Sequence, residues 1–246
     1  MKILLFRDAV LTGILLCGMA ASLPVAFAQG SMIVEPGALI AAPKATLFES
    51  KQNLLPSLVG IRAVDEQNMF NDNGRMKMAS AERMGNGIII DPSGIIVTSA
   101  HIVNRAKYVL VRLPNGTEVE ARVIYTGKED FSFLKVNVPG FLKPVVWADS
   151  SRVRSGDPVV AIIDRESVQG GAITKLVGRG QAEIIEMDVD LKHGDSGGPV
   201  FDEQGGLLGL VMARAESQKN KSYAVASNTI HQEYLKFKGS VLVGAE

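Results

Sequence analysis

The run Gly194-Asp195-Ser196-Gly197-Gly198-Pro199 surrounds one serine with glycine. A serine hydroxyl is a weak nucleophile at neutral pH until a base removes its proton during attack. That base is most often a histidine, whose tautomer a carboxylate must hold. The chain offers three histidines, His101, His193 and His231. His101 ends the run Ile95-Ile96-Val97-Thr98-Ser99-Ala100-His101, where an apolar strand gives way to a polar segment and a side chain can stand at a rim. Asp130 stands just before Phe131-Ser132-Phe133-Leu134-Lys135-Val136. Each alone also reads as structural: a histidine after a strand, a solvated carboxylate in a turn. Together they lie in the order His, Asp, Ser, and that order points to nucleophilic acyl transfer.

The elements that must position these residues are short apolar runs, bounded by turn residues, from Pro56 onward. The clearest is Lys107 to Leu113, then Pro114-Asn115-Gly116, then Thr117 to Tyr125. Asn-Gly between β-branched runs is a strong hairpin signal. In the second run Val119, Ala121 and Val123 alternate with Glu118, Glu120 and Arg122, the period of a half-buried strand. Further strands are predicted at 57–64, 86–90, 95–99, 131–136, 158–163, 171–177, 182–189, 207–213 and 222–226. Strands this short and numerous indicate a barrel or sandwich. One helix is predicted near the C-terminus, capped by Ser227 or Asn228, with Ile230, Tyr234 and Leu235 as its apolar stripe. The four methionines of residues 69–84 could suggest a soft-metal site, but the segment reads as a long hairpin loop. Gly194-x-Ser196-x-Gly198 also fits the nucleophile elbow of α/β-hydrolases. That fold would recruit Asp202 and His231 and would need alternating strands and helices, which the pattern lacks.

Of the 246 residues, 46% are apolar and 21% charged, enough to bury a sizeable core. Twenty-six basic and 26 acidic side chains leave no charge excess to draw nucleic acid. Lys2 and Arg7 precede an apolar stretch, Ala9 to Ala28, that ends in Ala26-Phe27-Ala28, the pattern of a cleaved secretory leader. An uncleaved membrane anchor is the alternative. Cys17, the only cysteine, follows Leu16 and not the small residue that lipidation requires. An exported chain without disulfides rests on its hydrophobic core, which suits a bacterial envelope. The expected location is periplasmic or secreted, without stable membrane insertion after cleavage. No cofactor or metal is expected, since the histidines share no ligand spacing.

The chain resembles the trypsin-like serine peptidases, in particular their HtrA/Deg branch. The matching stretches are Gly85 to Asp91, Val97 to Val103, Glu129 to Leu134, Ala148-Asp149-Ser150 with Val153 to Asp157, Gly171 to Thr174, and Asp188 to Val200. The resemblance implies an all-β, chymotrypsin-like fold of two six-stranded barrels with a short C-terminal helix. The expected organisation is a leader over 1–28, a flexible lead-in over 29–54, an N-terminal barrel over 55–144, and a second barrel with the helix over 145–246. By resemblance His101 is the general base, Asp130 its orienting carboxylate and Ser196 the nucleophile. The backbone N–H groups of Gly194 and Ser196 would form the oxyanion hole, such donors contributing about 3–4 kcal/mol to transition-state stabilisation. The substrates implied are envelope or misfolded polypeptides, cleaved through an acyl-enzyme. Relatives often form trimers through the N-terminal segment; here residues 29–54 offer only Phe48 as an aromatic anchor.

Three features depart from the branch. Asp195 precedes the serine where Asn is usual, a trypsin-type choice. No Ile-Val-Gly-Gly start follows the leader, so activation by a newly cut N-terminus is not expected. With the sequence ending shortly after the predicted helix, a PDZ domain is not expected. Asp190, six residues before Ser196, would favour Lys or Arg substrates if it lies at the base of a primary pocket shared with Leu191 and Met212. It could equally point to solvent or pair with Lys192. The alternative to an enzyme is a weak or inactive peptide-binding module on the same fold.

Overall fold

The computed structural model describes residues 52–243, except 66, 67, 73, 74, 80, 139, 141, 165, 166, 180, 181 and 215–219. The expected leader, Cys17 and the lead-in as far as residue 51 lie outside the described residues. The end of the lead-in, 52–54, is helical and runs into a 3₁₀ turn at Leu55–Ser57.

Two closed antiparallel barrels follow. The first uses β1 (Leu58–Val64), β4 (Glu82–Asp91), β5 (Ile95–Ser99), β6 (Tyr108–Arg112), β7 (Glu118–Thr126) and β8 (Phe131–Val136), in the order β1-β4-β5-β8-β7-β6. The second uses β9 (Pro158–Ile162), β10 (Val168–Arg179), β11 (Ala182–Met187), β12 (Pro199–Phe201), β13 (Leu207–Arg214) and β14 (Ser222–Ala226), in the order β10-β11-β14-β13-β12-β9. Between β1 and β4, β2 (Asn68–Asp72) and β3 (Arg75–Ala79) form a hairpin of their own in the methionine segment. One turn of helix, α1 (Ala100–Val103), follows β5, and α2 (Ser227–Val243) follows β14. Among the described residues no helix is long and apolar enough to cross a membrane.

The Asn115-Gly116 turn joins β6 to β7 as its sequence predicts: Gly116 has φ +88° and Thr117 N donates to Asn115 Oδ1 at 3.0 Å. Alternation along β7 breaks at Val123, which is 39% exposed. The register with β8 shifts between Val123 and Tyr125, and the extra residue of that bulge reverses the inward phase.

Burial on both faces explains the unbroken apolar runs of β4 and β5. Ile89 and Ile96 point into the first barrel with Val59, Val111 and Leu134. Ile88, Ile90 and Val97 point the other way, into a seam with Phe131, Phe133, Ile162, Phe201 and Leu210. Strands of both barrels therefore share one core. Ile230 and Tyr234 of α2 complete it, with Phe237 packed against it. Leu235, expected in the apolar stripe, is instead 54% exposed, because spacings of four and then three put Phe237 on the buried face. Ser227 and Asn228 do not cap their own helix; they clasp the segment between the barrels. Ser227 Oγ donates to Ala148 O at 2.9 Å, and Ser150 Oγ accepts from Asn228 N at 3.1 Å.

Candidate active site

The register of β5 with β8 builds the first half of the site. Ser99 pairs with Phe131, so the residues after β5 face those before β8. Ala100 N donates to Asp130 O at 3.1 Å. His101, in the single turn of α1, donates its backbone N–H to Asp130 Oδ1 at 2.9 Å and its ring Nδ1–H to Oδ2 at 2.7 Å. An ionised carboxylate only accepts, so the ring proton sits on Nδ1 and Nε2 is left as the basic nitrogen. The imidazole is 48% exposed. Asp130 has φ +32°, a conformation that costs an L residue about 1–3 kcal/mol and that collects at functional sites.

The second half is the turn carrying Ser196, and the first barrel holds it in place. Asn86 of β4 donates its N–H to Ser196 O at 2.9 Å and its Nδ2–H to Gly194 O at 3.1 Å. Its own carbonyl accepts from Thr98 Oγ1 of β5 at 2.6 Å. Ser99, also on β5, donates its hydroxyl to Val211 O of β13 at 2.8 Å. A Cβ on Gly85 would overlap the Ile102 side chain and lie 2.8 Å from Ser196 O, so the neighbour of His101 and the serine backbone meet there. Gly197 has φ +75°, and a side chain on it would strike Asn86 O.

Within the turn, Asp195 N donates to Lys192 O at 3.2 Å, Gly197 N to Val211 O at 2.9 Å and Gly198 N to Asp195 O at 3.1 Å. The carbonyls of 194, 195 and 196 are all occupied. Among the described residues the N–H groups of Gly194 and Ser196 donate to nothing, and Gly194 is exposed. No hydrogen bond joins Ser196 Oγ to His101 in this structure; such contacts are often loose until substrate closes a site. Asp195 is 8% exposed and accepts from Lys192 N at 2.5 Å. Burial pushes its carboxyl up; Lys192 opposes this, and the charges of Asp164 and Asp190 add to it.

Residues 85–210, more than half of the chain, match the family model described as the trypsin-like peptidase domain. The chain belongs to the trypsin-like peptidases. It is similar to a periplasmic pH-dependent serine endoprotease, DegQ, of Escherichia coli strain K12: 26% identity covers 80% of this chain and 50% of DegQ. A probable periplasmic serine endoprotease, DegP-like, of Brucella suis is 32% identical over 64% of this chain and 34% of its own. Serine protease HTRA1A of Danio rerio is 28% identical over 74% and 39%. The chain thus spans half or less of the length of these relatives.

In this trypsin-like peptidase the residues expected at the substrate pocket lie apart in environment. Asp190 is exposed and, among the described residues, makes no ion pair with Lys192. Leu191 is buried in the core of the second barrel with Val189 and Met187. Met212 sits at a register shift of β13, packed against the seam. The α/β-hydrolase alternative is overturned by the barrels. Its would-be acid Asp202 accepts from Gln204 N and Gly206 N in a turn. Its would-be base His231 stacks on Trp147 at 4.7 Å, not on the solvated face expected. Burial lowers the His231 pKa accordingly. Sequence reading missed Asn86 as a site residue. The signal was present: a polar side chain between two glycines at the head of an isoleucine run has to meet a partner.

Proposed function

We propose that this trypsin-like peptidase is a serine endopeptidase working through an acyl-enzyme intermediate. The observation that carries this reading is Asp130 spanning His101, one oxygen on the backbone N–H and the other on the ring, in the barrel whose Asn86 grips the Ser196 turn. Ser196 Oγ attacks the substrate carbonyl carbon while His101 Nε2 takes its proton. The oxyanion so formed rests on the N–H groups of Gly194 and Ser196. Its collapse breaks the C–N bond, and the imidazolium gives its proton to the leaving amine. Water then attacks the acyl-enzyme, passing a proton to Nε2, and His101 returns one to Ser196 Oγ as the acid product leaves. Asp130 stays ionised and stabilises the imidazolium throughout.

The relatives named periplasmic serine endoproteases support work in the bacterial envelope or outside the cell, and envelope or misfolded polypeptides are the substrates we propose there. A preference for Lys or Arg before the scissile bond rests only on Asp190 standing six residues before Ser196; its exposed side chain favours the solvent-facing alternative. Cleavage of unfolded casein by His101→Ala and His231→Ala tests the assignment. His101→Ala should lose at least about a thousandfold in kcat, and His231→Ala should keep the activity of its folded fraction. Loss confined to His231→Ala would contradict the roles given. In the same assay, peptides with Arg or Leu before the cleaved bond read the contribution of Asp190 through Asp190→Asn.

A further inference from the structure

The N–H groups of Gly194 and Ser196 are of use only if their peptide planes are fixed before substrate arrives, because a donor that must reorganise stabilises a developing charge less. Glycine at 194, with φ +99° and open space where a Cβ would be, has no side chain to hold it in the turn. The turn fixes Asp195 and Gly198 by its own hydrogen bonds. Gly194 has no such internal partner. Its carbonyl is held from the other barrel, by Asn86 Nδ2 at 3.1 Å. Asn86 is 9% exposed, and its amide lies 4.0 Å from where a Cβ of Gly198 would stand, so the side chain is seated against the inside of the turn.

We infer that Asn86 is a positioning residue of the oxyanion hole, acting through its side-chain amide on the Gly194–Asp195 peptide. It touches neither substrate nor reacting atoms. Thr98 Oγ1, three residues before His101, donates to the Asn86 carbonyl, so one residue sets the nucleophile turn against β5, the strand that leads into the base. The Asn86 backbone bond to Ser196 O would survive substitution, which isolates the amide. This inference rests on the peptidase reading above.

The test uses Asn86→Asp, which keeps volume but turns the donor into an acceptor facing a carbonyl, and Asn86→Ala. Each is measured with a peptide ester over a range of pH, and by amide hydrogen exchange across residues 192–198. The expected result is a fall in kcat of roughly tenfold to a hundredfold, less than loss of an oxyanion donor itself. KM and the shape of the acid limb should stay as in the parent, since Asp130 and His101 are untouched. Exchange at residues 194–196 should quicken in both variants. A kcat within twofold of the parent in both, or a loss matched by KM and the acid limb, overturns the inference. If the parent protein itself shows no turnover, the peptidase reading fails. Exchange then decides the anchor alone: unchanged protection of the turn in Asn86→Ala sinks it.

Discussion

At the scale of single residues, the site joins a carboxylate well matched to its surroundings with one that is not. Asp130 uses both oxygens on His101 and remains partly open to water. Asp195, next to the serine, is buried, with one backbone N–H on it and two carboxylates nearby. Burial raises its pKa above the ordinary value, so its protonated form is favoured on folding. The stability it contributes is full below the ordinary carboxylate value and is lost as pH rises through the raised one. Asp195→Asn keeps an acceptor for Lys192 N and removes the buried charge. It should melt higher than the parent at pH 7, by roughly 2–4 °C for each kcal/mol recovered, and the gain should narrow toward pH 3. Calorimetry at the two pH values checks this. A lower melting point at pH 7 would mean that the charge itself holds the turn.

At the scale of elements, α2 is clasped to the first barrel at the end of β4. Asp91 Oδ2 accepts from Tyr234 OH at 2.5 Å and from Lys238 Nζ at 3.1 Å, while Ser93 N donates to Oδ1 at 2.8 Å. Burial opposes the Asp91 charge, yet the bonds from Ser93, Tyr234 and Lys238 prevail and hold its carboxyl well below the usual range. Burial and Asp91 push the Tyr234 hydroxyl up to about 12. A depressed carboxylate contributes stability that is present above its ordinary pKa and lost as pH falls through the folded value. Tyr234→Phe keeps the ring edge-on to Phe133 at 5.8 Å and removes one donor to a charge, at about 1.5–3 kcal/mol. Urea unfolding should show that deficit at pH 7 and show it shrinking as the pH is taken below the ordinary carboxylate range. A deficit independent of pH would assign the effect to packing. Most strands were legible because their runs are bounded by turn residues. β12 was not: its three residues start at the last residue of the Ser196 run, and it exists through its neighbours β9 and β13. Val123 and Leu235 were misjudged because bulges and three-dimensional seams, not local period, decide which face is buried.

At the scale of the whole molecule, the two barrels are one structure sharing a core, and the site lies on that seam. His101 and Asp130 come from the first barrel and Ser196 from the second. Asn86 and Ser99 reach across between them. The order His, Asp, Ser in the sequence drew attention to these three, and the family resemblance gave them their expected roles; the structure joins His101 to Asp130. The cross-barrel contacts were not legible, because no local pattern records which distant carbonyl a buried side chain will meet. Both halves of the site therefore depend on one folded unit, and reactivity of Ser196 should disappear in the same thermal transition as the core.

The most direct measurement of the central claim is labelling of the folded protein by a fluorophosphonate probe, with the modified peptide located by mass spectrometry. The probe should attach to Ser196 alone, should fail on Ser196→Ala, and should react far more slowly with His101→Ala. A folded protein that stays unlabelled, or that is labelled at another serine, would contradict the assignment of Ser196 as an activated nucleophile.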